Sequence, residues 1–466
     1  MGKNRKEKTD PGKKLGFGKI CVWQSRQISQ SANLMVMGYL TIFCTDILGL
    51  PVLLVGTLLL ASRLIDGVTD IVAGYIVDRT KTKLGRGRPY ELSIVGLWVC
   101  TVLMFSCPPG WDVPVKCAYV LAMYAFINSV FATFLNAANT PYMVRAFNDQ
   151  DTYVKLTSFG GLITMLAVVA VNVTLPLLMS KYGTTAAGWR TMILIYAIPM
   201  ATIGILRFLF IPEKYDVDAT TEKINFHHVF QVLKDNPYIY IVALIQFVMN
   251  LVSAMGIGQY YYTYIVKDIS LMSIASLVAV VGVVIMPFLP TLLKKVSIKT
   301  LIIIGFFVQA FGCIICWFAN ANFPLLLIGG ILVGAGAVPA NMLSGLMIID
   351  CADYNEWKGQ PRMEATLGVI PGLAQKLASA FGAFLLGVFL SIGGYISGTA
   401  DGALVEQPDS AILMLRLLQS FIPMAFYLVA AFVTRFYKLD KLMPQIRREN
   451  AERRAMMEQK AESAAE

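Results

Sequence analysis

The sequence predicts an all-α integral membrane protein of about twelve spans, and three observations carry that prediction. Of 466 residues, 56% are hydrophobic and only 15% are charged, where ordinary soluble domains carry about 25% charge. Apolar stretches of spanning length recur from end to end, and at roughly 20 residues per span the chain holds about twelve. Lys and Arg crowd some connectors and nearly vanish from the next. The 26 Phe, 20 Tyr, 22 Met and 37 Gly agree with this class. The net charge of +10 therefore speaks of topology, because basic residues gather on the cytoplasmic side. It does not argue for a nucleic-acid partner.

The spans run in order over 27–47, 52–77, 91–108, 115–140, 156–180, 190–211, 238–265, 271–293, 300–319, 323–349, 365–395 and 411–435. Residues 1–20 are basic and polar, with no apolar core or cleavage site, so they read as a cytoplasmic start rather than a signal peptide. The second connector holds Arg79, Lys81, Lys83, Arg86 and Arg88, and the eighth holds Lys294, Lys295 and Lys299. The first, third, ninth and eleventh are almost free of both residue types. Both termini are expected in the cytoplasm, in a multi-pass protein of the cell inner (plasma) membrane. The longest polar break lies between Pro212 and Pro237. It divides the chain into a six-helix half at 1–211, a cytoplasmic connector at 212–237, a second six-helix half at 238–435 and a basic tail at 436–466. Paired halves of this kind rock about a midplane site.

Other classes are disfavoured. The eight cysteines fall mostly in apolar stretches, and the Cys313-x-x-Cys316 spacing has no second ligand pair, so core thiols are expected. His227 and His228 are the only histidines, and no catalytic triad, zinc set or P-loop is present. Neither an enzyme nor a bound cofactor is expected, and the chain reads as a monomer. The helix-prone tail after Pro444 reads as a solvated segment, with recruitment of a partner as the competing reading.

Charges at bilayer depth are costly, so each needs a reason. The second span contains Arg63, Asp66 and Asp70. The two carboxylates stand four residues apart, on one helix face. They suit a small cation such as Na⁺ or a shared proton; simple neutralisation of Asp66 by Arg63 is the plainer reading, and both stay open. Lys376 lies among small residues of the eleventh span, as a partner for that cluster, a substrate contact or a structural ion pair. The fourth span offers Asn128, Asn136 and Asn139, whose amides suit hydroxyl-bearing ligands or bind helices together. Tyr260, in GQYYYTYIV, either stacks on a ligand or belongs to the interfacial belt.

At the second connector the sequence becomes specific. Gly74-x-x-x-Asp78-Arg79 followed by Arg86 resembles the loop signature of the major facilitator superfamily. DRTKTKLGRGRPY is similar to the version carried by the glycoside–pentoside–hexuronide:cation symporters, the melibiose permease family. IIDCADYNEWKGQPRMEA (348–365) resembles a second segment of that family, and Thr45-Asp46 with Gly49-Leu50 also fits. The resemblance spans about residues 17–438. It implies a major facilitator fold of about twelve helices in two halves, moving sugars or glycosides by alternating access with Na⁺, Li⁺ or H⁺ as coupling cation.

The resemblance implies that Asp66, Asp70 and Asn136 occupy cation-site positions and that Lys376 lies close to cation and sugar. Gln30, Asn139 and Met143 stand where the melibiose permease has a sugar-binding Asp, a second Asp and a Trp. Gly160 or Gly161 stands where it has an Arg. Loss of these charges removes the stronger, charge-assisted hydrogen bonds, so a larger, more neutral pocket is expected around Gln30, Asn139, Met143, Lys376, Arg63 and Tyr260. A bulkier glycoside, an aglycone-bearing conjugate or a less polar molecule fits that pocket. A hexuronide is disfavoured unless Lys376 or Arg63 supplies the counter-charge, and a cation-coupled carrier of an amphipathic solute such as a lysolipid is the alternative. A sensor that binds solute without moving it is a rival of another class. Gly74, Asp78, Arg79 and Arg86 are expected to form a cytoplasmic latch with Asp350, Asp353 and Glu356.

Overall fold

The computed structural model describes residues 16–80, 82–147, 150–214, 236–277, 288–360, 364–398 and 405–465. Apolar stretches too long for a single strand fold here as helices, which satisfy every backbone polar group internally, as a bilayer requires. The helices are α1 (Phe17–Met37), α2 (Val52–Arg79), α3 (Ser93–Met104), α4 (Val113–Ala146), α5 (Gln150–Tyr182), α6 (Ala186–Phe210), α7 (Tyr238–Tyr264), α8 (Leu271–Leu277), α9 (Ile298–Ala319), α10 (Phe323–Trp357), α11 (Glu364–Ile392), α12 (Asp409–Thr434) and α13 (Leu439–Ala465). No strand occurs among the described residues beyond an isolated Thr82–Gly85 bridge. Eight of the described helices are long and apolar enough to cross a membrane. Residues 278–287 of the expected eighth span and 215–235 of the expected middle connector lie outside the described residues.

Two local irregularities shape the site. The chain beyond α1 widens into a π-helical turn at Phe43–Ile47, and α4 contains another at Phe126–Ala132. Such turns re-aim the side chains that follow them and recur at functional sites. α2 and α11 pack closely and run antiparallel: a Cβ on Gly56 would stand 3.0 Å from the Ala383 carbonyl, and one on Gly387 2.8 Å from that of Val52. Glycine at these points lets the two backbones touch. That contact sets the height at which residues 66–70 face residue 376.

Apolar burial forms two main cores, one around Phe43, Trp98, Phe105 and Trp189, the other around Phe306, Met347, Tyr427 and Tyr437. The tail is not simply solvated. Arg447 on α13 pairs with Asp350 at 2.9 Å and Asp353 at 3.7 Å, and Asn450 donates to the Asp353 carbonyl. Trp357 Nε1 donates to Glu449 at 2.6 Å. Hydrogen bonds from Gln445 and Trp357 hold the Glu449 carboxyl below its usual range. All eight cysteines are free thiols.

Candidate cation and substrate cavity

α2 presents Asp66 and Asp70 one turn apart, toward α4. Because the π-helical turn of α4 advances the helix face, two hydroxyls meet these carboxylates. Ser129 donates to Asp66, and Thr133 donates to Asp70 at 2.9 Å. Arg63 reaches back along α2 to Asp66 at 3.3 Å, its guanidinium 5.5 Å from the Tyr124 ring centre. From α11, Lys376 forms a direct ion pair with Asp70. Each carboxylate thus holds one hydroxyl and one cationic side chain, and the four charges cancel. Carboxylates with adjacent hydroxyls form an oxygen-rich set of the kind hard cations take.

Arg63, Asp66, Asp70, Thr133 and Lys376 line a cavity of about 320 Å³, together with Gln27, Gln30, Asn33, Asn128, Asn136 and apolar residues such as Leu34, Met37 and Leu377. Ligand pockets usually have this make-up, largely apolar with a few placed polar groups. Gln30, Arg63, Asn136 and Lys376 are therefore brought together with Asp66 and Asp70. Asn136 Oδ1, however, accepts from Gln30 Nε2 at 3.1 Å; Thr133, one turn earlier, supplies the hydroxyl at Asp70. The π-helical turn displaces the register that simple spacing implies.

Three expected pocket residues stand elsewhere. Asn139 does not line this cavity; its Oδ1 accepts from Arg26 at 2.5 Å and from Arg207 at 3.0 Å. Met143 packs with the Trp23–Tyr142 cluster. Tyr260 is fully buried at the far end of the bundle, hydrogen-bonded to Thr45 at 3.0 Å, with its ring edge-on to Tyr395. Gly160 abuts α1: a Cβ there would overlap Gln24 Nε2 at 1.8 Å. Gln24 in turn donates to the Leu156 carbonyl. At Gly160 the space of an α5 arginine is taken by α1, whereas a Cβ at Gly161 would meet nothing within 4 Å.

Sequence reasoning missed a buried charge cluster beside the cavity. Arg26, Glu91 and Arg207 have side chains no more than 1% exposed, with each Arg Nε 3.7 Å from a Glu91 oxygen. Arg207 also stacks on Trp23, 3.4 Å from its ring centre. Three ionisable residues inside or at the edge of predicted spans were themselves a signal for such a site.

The far end is closed by Asp46, which the π-helical turn points away from the lipid. Its carboxylate accepts from Tyr264 at 2.7 Å, Tyr395 at 2.6 Å and Thr45 at 2.7 Å. Beside it, Gly398 N–H donates to the Thr45 carbonyl at 3.0 Å and Ser397 donates to that of Leu50 at 2.9 Å. A Cβ at Gly398 would lie 2.1 Å from the Asp46 carbonyl, so only glycine admits this approach.

At the other end the expected latch residues keep local partners. Arg79 lies over the Tyr75 ring at 4.2 Å, and Gly74 sits on α2 above it. The backbone N–H groups of Arg86, Gly87 and Arg88 converge on Glu213 at 2.9, 2.8 and 2.7 Å. Asp353 pairs with Arg447, and the Glu356 carbonyl accepts from Arg453. These contacts tie the 82–88 loop to the chain after α6 and the Asp353–Glu356 segment to α13. The Asp78 side chain lies outside the described residues.

Fold and cavity together define a multi-pass membrane transporter, not an enzyme; in bacteria such proteins occupy the inner membrane. The family model of MFS/sugar transport proteins matches residues 30–441, and the chain belongs to that family, of the glycoside–pentoside–hexuronide symporter type. It is 26% identical over 430 residues to the isoprimeverose transporter of Lactiplantibacillus pentosus, covering 88% of this chain and 86% of the relative. To the glucuronide carrier protein homolog of Escherichia coli (strain K12) it is 23% identical over 421 residues, covering 88% and 89%. Among solved structures, the D-xylose–proton symporter superposes with a TM-score of 0.62 at 14% identity, over 90% of this chain and 96% of that one. It shares the fold.

Proposed function

We propose that the chain is a symporter that couples entry of Na⁺, Li⁺ or H⁺ at Asp66 and Asp70 to movement of a sugar or glycoside through the adjacent cavity. The observation that carries this reading is the shared use of Asp70 by Thr133 of α4 and Lys376 of α11. A cation entering between Asp66 and Asp70 takes their oxygens, with Ser129 and Thr133 completing the shell. Lys376 and Arg63 are then released from their carboxylates, and Lys376 turns to the substrate. Because each ligand changes the same ion pairs, cation and sugar raise each other's affinity, and linkage makes the effect reciprocal.

Alternating access follows from the two ends of the bundle. The bonds of Asp46, Tyr264, Tyr395 and Gly398 hold one end shut; with both termini in the cytoplasm, that end faces outward. Opening it exchanges these bonds for water. The sugar names of the reported relatives favour saccharide cargo, and the amphipathic alternative gains no support from them.

The test is thermal stability of the purified protein in detergent across a saccharide panel, with and without Na⁺ or Li⁺ and over a pH series. A bound ligand stabilises the folded state by mass action. Stabilisation by one saccharide that depends on the cation, and is lost in Asp66→Asn and Asp70→Asn, is expected. Indifference to every saccharide and cation would overturn the reading.

A further inference from the structure

At the closed end beside Asp46 lies a second cavity, of about 290 Å³, which shares no lining residue with the one at Asp66 and Asp70. Its walls are largely apolar: Ile42 and Ile47 around the first π-helical turn, Met179 late in α5, Trp189 on α6 and Ile269 after α7. Trp189 Nε1 is spent on the Gly183 carbonyl at 2.8 Å, so the indole offers this cavity only hydrocarbon.

Two polar residues in the lining keep hydrogen-bonding capacity to spare. Asp46 Oδ1 accepts from Thr45 and Tyr395, but Oδ2 accepts from Tyr264 alone, and a carboxylate oxygen has room for two donors. Thr263 Oγ1, on the residue before Tyr264, is buried with no hydrogen-bond partner. A hydroxyl left in that state costs free energy that a donor from a ligand would recover.

Charge points the same way. The three donors to Asp46 are neutral hydroxyls, and among the described residues no cation pairs with it. Lys116, buried at the start of α4, gives its ammonium to the Leu48 carbonyl at 2.7 Å instead. A carboxylate only 6% exposed and without a counter-charge is costly. At the rim, Lys267 and Asp268 are exposed, with Asp268 bound to Ser270; water screens both. Lys267 stands there in the left-handed region, at φ 59°, a conformation that L-residues hold at a cost. The charged lining as a whole keeps one negative charge over.

We infer that this cavity binds a small primary amine with an apolar body. The ammonium donates to Asp46 Oδ2 and Thr263 Oγ1, and the hydrocarbon lies against Trp189, Ile47 and Met179. The lining comes from α1 to α6 on one side and from α7 and the loop after it on the other. An occupant seated across both therefore favours the closed form of this end, since it binds that form better than the open one. The site does not rest on the proposed transport of saccharides; only its facing outward follows from that reading.

The experiment measures binding of benzylamine to the purified full chain in detergent at neutral pH. Benzyl alcohol and benzoate, which share its ring but not its charge, are measured beside it. Benzylamine is expected to bind about tenfold tighter than the alcohol, and benzoate weakest. Asp46→Asn should bring the amine-to-alcohol ratio to about one. Lys267→Gln removes a like charge from the exposed rim and should raise the ratio about twofold. It keeps the test open if Asp46→Asn unlocks this end or does not fold. Asp70→Asn should leave the ratio unchanged, since that carboxylate lines the other cavity. Saturating benzylamine should also slow labelling of a Ser397→Cys variant in a background free of native cysteines. Equal binding of amine and alcohol, a ratio unmoved by Lys267→Gln, a ratio lost with Asp70→Asn, or labelling that does not slow each overturns the inference and leaves the proposed symport standing.

Discussion

Asp70 on α2 and Lys376 on α11 form an ion pair between segments 306 residues apart in sequence, at the same height as the hydroxyl of Thr133. The pair is reached from the cavity, since Lys376 is largely exposed to it. An ammonium in that position competes with any cation for the carboxylate. Lys376→Gln should therefore tighten Na⁺ binding, by up to about fivefold, because solvent-accessible ion pairs contribute only about 0–1 kcal/mol. Sodium titration of thermal stability reads the change. Weaker Na⁺ binding in this variant would show that Lys376 organises the site instead of competing for it.

The neighbouring hydroxyls separate two assignments. Thr133→Ala should weaken cation binding, at a cost of about 1 kcal/mol for one hydrogen bond, or roughly fivefold in affinity. Asn136→Ala should leave the cation titration near wild type and weaken saccharide binding. Isothermal titration of each ligand in both variants checks this. The opposite pattern would return the cation site to Asn136.

Asp46 should behave as the closing contact of its end. Asp46→Asn removes the charge that Tyr264 and Tyr395 bind, and hydrogen bonds to charged groups contribute about 1.5–3 kcal/mol. A tenfold or larger gain in accessibility is expected there. Labelling a Thr263→Cys variant in a background free of native cysteines measures it. Unchanged labelling would mean that the apolar core around Phe43 and Trp189 holds this end by itself.

Gly160→Ala should destabilise the fold without altering the cation dependence of saccharide binding. The added Cβ must displace Gln24, whose Nε2 is buried and bonded to the Leu156 carbonyl. Loss of that bond costs about 1–2 kcal/mol, visible as a lower melting temperature in detergent. Gly160→Arg should fold less well still, because α1 fills the space.

Arg447→Ala tests the docking of α13. Asp350 is almost fully buried and loses its cationic partner, so a destabilisation of about 1–3 kcal/mol is expected. Asp350→Asn in the same background should recover part of it, as no unpaired buried charge then remains. A melting temperature equal to wild type in Arg447→Ala would show the helix to be only loosely attached.

Much of the architecture was legible because bilayers constrain sequence strongly. Apolar run length separates spans from connectors, and a carboxylate at such depth, as at Asp66 and Asp70, cannot pass unnoticed. Spacing also put Asp66 and Asp70 on one face, since helix geometry alone requires it. The partners were less legible. Ser129 and Thr133 reach the carboxylates only because a π-helical turn shifts the face of α4, and nothing in FINSVFA announces that turn. Asn139 and Met143 matched by position in sequence and Tyr260 by residue type, yet they point to other neighbours.

The sequence by itself determined that this chain is a membrane-spanning helical transporter, where its polar residues interrupt the apolar spans, and which two carboxylates share a face. Those properties depend on composition and on the 3.6-residue period of a single helix. Only the tertiary structure decided that Lys376 meets Asp70, that Asp46 is gripped by two tyrosines, and that Arg26 and Arg207 converge on Asn139. Each of these depends on where separate helices cross and how each is rotated, and close packing sets both.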